Sequence, residues 1–147
     1  MSAQFAFQDT PDQVRDRDEV DGADLPAEWL PPLLAGARAR GIADAFELLG
    51  KAAVLVDGSG MALHVNRIAK GFMGSTIAIS RRHLVGADAE ANAALQALIS
   101  AAIAGETHPA VALSRKGQGP LLVEALPIAG AAEDPQQILK AVVTISD

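Results

Sequence analysis

Residues 52–71 read AAVLVDGSGMALHVNRIAKG, and this stretch decides the fold. In an extended strand Val54 and Val56 point one way and Leu55 the other. Met61, Leu63 and Val65 alternate in the same manner with Ala62, His64 and Asn66. A period of two on either side of Asp57-Gly58-Ser59-Gly60 predicts a β-hairpin, because Asp and Gly supply the backbone that a tight turn requires. Asn66 ends the second strand. Its short side chain is suited to accept from a free N–H of a helix starting at Arg67, so it is predicted as a helix cap. In that helix Ile68 and Phe72 lie four residues apart on the inner side, and Gly74 ends it.

Working towards the N-terminus, residues 26–50 predict an amphipathic helix that begins around Pro31-Pro32 and ends at Gly50. Leu30, Leu33, Leu34, Ala37, Ile42, Ala45, Phe46, Leu48 and Leu49 give it one broad apolar side, with Arg38, Arg40, Asp44 and Glu47 wet. Such a helix is expected to cap its own sheet or to pair with a second copy. For the second case the expected interface is Leu30, Leu34, Ala37, Gly41 and Leu48, with Gly41 letting two backbones approach. Residues 1–25 are dense in charge, Asp, Gly and Pro, and predict an acidic disordered leader.

On the C-terminal side Thr76–Ser80 is short and β-prone, and Arg81, Arg82 and His83 predict a polar turn. Asp88 is predicted to cap the clearest helix of the chain, in which Leu95, Leu98, Ile99, Ala102 and Ile103 recur as a buried stripe up to Gly105. Strands are predicted over 108–115, 120–128 and 139–145, with a loop over 129–137. The last strand is apolar and β-branched enough to be central in a sheet.

The order strand-strand-helices-strand-strand-strand, with AAVLVDGSG at 52–60, ALHVNRIA at 62–69 and an Asp-initiated helix from Asp88, resembles a PAS domain. It is most similar to the PAS-like sensory domains that precede the helix-turn-helix of LuxR-type transcriptional regulators. The likeness covers residues 45–147 well and 26–44 loosely. It implies an α+β fold over 51–147: a five-stranded antiparallel sheet with helices inserted between strands 2 and 3, preceded by the N-terminal amphipathic helix. It also implies signal transduction through a homodimer to a DNA-binding module beyond Asp147. A pocket between sheet and helices would have Met61, Leu63, Val65, Phe72, Arg81, Arg82 and Leu98 along it or at its mouth, for an unknown small molecule. The alternative is a free-standing ligand-binding or adaptor protein.

Composition bounds the chemistry. Among 147 residues there is no Cys, only five aromatics, and a net charge of −6. Residues 1–50 hold four arginines against ten acidic residues, whereas 51–147 are balanced, so no basic surface is expected to bind nucleic acid directly. The lack of Cys removes thiolate metal ligands, thiol nucleophiles and flavin adducts. None of His64, His83 and His108 lies on the long helix, where a haem ligand belongs. The local carboxylate sets, Asp88/Glu90 and Glu133/Asp134, lack metal-site spacing, and no nucleophile or phosphate-loop motif is present. The expectation is therefore a non-enzyme without cofactor or metal. With no membrane span or secretory signal in the sequence, a cytoplasmic location is expected.

Overall fold

A computed structural model describes residues 27–128 and 137–147. The predicted leader, and the predicted 129–137 loop apart from Gln137, lie outside these residues. The chain divides into two units, 1–31 and 32–147. The described part of the first is a 3-10 turn, Ala27–Trp29, and the opening of helix α1, Leu30–Leu48.

The second unit continues α1 and adds β1 (Ala52–Asp57), β2 (Ala62–Val65), α2 (Arg67–Phe72), β3 (Ile77–Ser80), β4 (His83–Gly86), α3 (Ala89–Ile103), β5 (Val111–Arg115), β6 (Gln118–Pro127) and β7 (Leu139–Ser146). The fold is α+β. Five strands form an antiparallel sheet in the order β2-β1-β7-β6-β5, and β3-β4 form a separate antiparallel pair. The run Ala141–Val143 is buried without a break because β7 lies mid-sheet between β1 and β6, covered on both faces.

The main core lies on one face of the sheet. Val54, Val56, Val123, Val143 and Ile145 meet Leu95, Leu98, Ile99 and Ala102 of α3, together with Ala69 of α2 and Ile77 and Leu84 of the small hairpin. On the opposite face Ala53, Leu55, Leu139 and Val142 meet Ala39 and Ala43 of α1. Both caps expected from the sequence are formed. Asn66 Oδ1 accepts from Ala69 N–H at 2.9 Å, and Asp88 Oδ1 from Ala91 N–H at 2.8 Å. Asp57 organises its turn by accepting from Ser59 N–H, Ser59 O–H and Met61 N–H.

Two sequence expectations need correcting. The region 76–85 is not one strand and a three-residue polar turn, because His83 opens β4 and the turn shrinks to Arg81-Arg82, both at positive φ (51° and 66°). The hairpin is tied back to β2, with Ala62 N–H donating to Arg82 C=O at 2.7 Å, and to α3, with Gln96 Nε2 donating to Leu84 C=O at 2.7 Å. The strict alternation of Met61, Leu63 and Val65 also fails. Leu55 and Val56 pair with His64 and Ala62, so Leu63 is an extra residue that bulges out of β2, which puts Ala62 and Val65 against the main core and Leu63 against the α1 side.

At Gly86 the backbone of β4 passes close to that of α3. A Cβ there would lie 2.8 Å from Asn92 N and 2.9 Å from Ala91 C, which are backbone atoms of the helix. Gly86→Ala should therefore cost about 1–3 kcal/mol, as overpacking does. Gly71, inside α2, has open space where a Cβ would stand, with nothing within 4 Å. Gly71→Ala should be neutral or gain up to about 1 kcal/mol from helix propensity. Urea melts of the two variants check this, and the midpoint should fall only for Gly86→Ala with the slope unchanged.

Candidate functional site

The apolar residues of α1 do not all face the sheet. Its buried positions are Ala35, Ala39 and Ala43, spaced four apart, with Ile42 and Phe46 half-buried beside them. The leucines face outward: Leu34 is 59% exposed and Leu48 89%, and Leu30 and Leu33 are exposed as well, as is Leu49 just past the end of the helix. The reason is one of size. The sheet presents the bulk on this face, through Leu55, Leu139 and Val142, so the helix approaches with its smallest side chains. Leu34, Ala37, Gly41 and Leu48 are all exposed along one side of the helix, at intervals of three, four and seven. That is the spacing of a coiled-coil seam, interrupted by Asp44.

The C-terminal half of α1 is locked to the rest of the domain by polar contacts. Asn66 is 1% exposed and uses both ends of its amide. Oδ1 accepts from Ala53 N–H (3.1 Å) and Ala69 N–H (2.9 Å), while Nδ2 donates to Ala43 C=O (3.2 Å) and Lys51 C=O (2.9 Å). One side chain therefore joins α1, the entry to β1 and the start of α2. Glu47 adds a second link from α1 to α2. It accepts from Arg67 N–H at 2.8 Å and lies 3.4 Å from the Arg67 guanidinium. That ion pair is largely solvated and contributes little to stability.

Beside this junction is a cleft of about 420 Å³ at the end of the sheet where β1 starts and β7 finishes. Phe46 of α1, Ile68 and Phe72 of α2, and Leu126 of β6 supply apolar wall. Lys51, Glu124, Thr144 and Asp147 supply polar groups. Asp147 is 3.7 Å from the Arg115 guanidinium. A smaller cleft, about 260 Å³, lies between the start of α3 and β5, and an open groove follows Leu33, Gly36 and Arg40 on α1.

The residues expected around a ligand pocket do not converge on one cavity. Leu98 is fully buried in the main core, and Val65 packs against that core. Leu63 packs on the other face, Met61 bridges to His83, and Arg81 and Arg82 are exposed in the hairpin turn. Phe72 alone of the seven lines the larger cleft. Sequence reasoning does not mark Phe46, Lys51 and Glu124 as site residues. The available signal was the scarcity of aromatics, since Phe46 and Phe72 are the two phenylalanines among the described residues and both line this cleft. Among the described residues no three His, Asp or Glu side chains gather in a group able to hold a metal ion. Among the same residues no helix is long and apolar enough to cross a membrane. Compared with protein-family models and with the curated proteins, the sequence matches none.

Proposed function

We propose that this chain is a non-catalytic, PAS-like sensory and dimerisation module of a LuxR-type transcriptional regulator, acting in the cytoplasm as a homodimer. In this reading its signal passes to a DNA-binding domain that residues 1–147 do not include. The PAS likeness draws support from the sheet order β2-β1-β7-β6-β5, with α2 and α3 between the second strand of the sheet and the third. The observation that carries the reading is α1. It holds its own sheet through alanines and turns its leucines to solvent, an arrangement suited to a second copy. A two-fold pairing would place the same stripe from each subunit in contact.

Leu34→Asp tests it. Leu34 is exposed in the single chain, so the substitution should leave the thermal melt of the domain nearly unchanged. In a dimer seam it places an unpaired charge out of water, which costs several kcal/mol and should split the dimer. Sedimentation equilibrium at about 100 μM should find the wild type dimeric and Leu34→Asp monomeric. A monomeric wild type would remove the dimer. Gly41→Ala sharpens the test, because nothing lies within 4 Å of the added Cβ. It should stabilise an isolated helix by about 1 kcal/mol yet weaken a seam in which backbones meet at Gly41.

A further inference from the structure

We infer that the cleft between the end of α1, α2 and the sheet is a binding site for a small aromatic zwitterion of the α-amino-acid type. Its volume of about 420 Å³ falls in the range of small-molecule sites, whose walls are mostly apolar with a few placed polar groups. In a chain that is 3% aromatic, Phe46 and Phe72 come from different helices to this one cleft. Both are only half-buried, so ring surface is left for a planar ligand to cover.

The charges choose the ligand class. Lys51 and Glu124 both line the cleft, both are exposed, and neither makes an ion pair among the described residues. Glu124, Thr144 and Ala53 are opposed in one row across β6, β7 and β1, and Lys51 lies two positions before Ala53. With strands ~4.8 Å apart and ~3.4 Å per residue, the Cα atoms of Lys51 and Glu124 lie about 12 Å apart. A carboxylate held by Lys51 and an ammonium held by Glu124 would fill that interval, with the ring against Phe46 and Phe72. A purely cationic or purely anionic aromatic leaves one of the two protein charges unmatched. Asp147 already has Arg115 beside it and is not needed for the match.

This site deepens the sensory half of the proposed function and is independent of the dimer. The test is calorimetric titration and amide chemical-shift mapping of the full chain with L-phenylalanine, phenethylamine and phenylacetate. L-phenylalanine should bind with a Kd below about 1 mM, and each single-charge compound at least about tenfold more weakly. The shifted amides should lie at 46–52, 68–72, 124–126 and 144–147. Lys51→Gln and Glu124→Gln should each weaken L-phenylalanine about tenfold, or ~1.4 kcal/mol, with melts like the wild type because both side chains are exposed. The proposal is overturned if L-phenylalanine does not bind at about 10 mM. It is equally overturned by shifts confined to other residues, by equal binding of the single-charge compounds, or by unchanged affinity in both variants. A dimer that binds none of the three compounds overturns this site alone, and a monomer that binds as described overturns the dimer alone.

Discussion

Asn66→Ala is expected to destabilise the domain by about 3–5 kcal/mol, a large part of the ~5–15 kcal/mol that holds a typical domain together. The substitution removes the acceptor for Ala53 N–H and Ala69 N–H and the donor for the carbonyls of Ala43 and Lys51. At 1% exposure no solvent replaces them, and each orphaned buried group costs about 1–3 kcal/mol. The Ala69 N–H is also the helix-capping bond of α2, so the loss includes the cap. The midpoint of thermal unfolding should fall by about 10–20 °C. Asn66→Asp separates the two ends of the amide. It keeps the acceptor for both N–H groups but turns a carboxylate oxygen towards two carbonyls. Burial and those carbonyls disfavour the charge, so this carboxyl should titrate above the usual Asp range. A folded-state pKa raised above the unfolded one means stability is fullest below the unfolded value and is lost as pH rises through the folded one. Relative to wild type, Asn66→Asp should therefore recover as the pH is lowered. A variant Asn66→Ala that melts within a few degrees of wild type would show that the amide does not join α1, β1 and α2.

Ala43→Asp is the second large effect. Ala43 is fully buried between α1 and the sheet, beside Leu55 and Val142. A carboxylate there has no partner and no water, and should cost about 3–5 kcal/mol or drive the helix off the sheet. The same substitution at Leu34, nine residues earlier on the same helix, should leave the fold intact. Chemical denaturation of the two variants side by side measures the difference directly. If Leu34→Asp unfolds the domain and Ala43→Asp does not, the helix faces the sheet with its leucines and the assignment of its two sides is reversed.

These two helix positions also mark the limit of what the sequence conveys. Along α1 hydrophobicity rises at leucines, so a reading by apolar character puts the leucines inward. The burial is set instead by the partner surface. Leu55, Leu139 and Val142 already fill the space on that face, and a close fit puts Ala39 and Ala43 at the centre of the contact, with Ile42 and Phe46 packed at its margin. Alanine is too weakly hydrophobic to announce such a contact without knowledge of the sheet it meets.

By itself the sequence determined the elements whose causes are local. Asp57 and Gly60 specify the turn, Asn66 and Asp88 the starts of α2 and α3, Gly50 and Gly105 at positive φ the ends of α1 and α3, and the β-branched run before Asp147 a central strand. Each of these depends on interactions within a few residues or on a composition that only one environment tolerates. Tertiary structure decided the rest. The bulge opposite Leu55 and Val56 split Leu63 from Val65, because strand register answers to the packing of both faces together. The second hydrogen-bonding end of Asn66 reaches Ala43, twenty-three residues away, and no local rule anticipates it. The cleft at the end of the sheet draws Phe46, Phe72 and Glu124 from three separate elements, and only the fold brings such distant positions to one place.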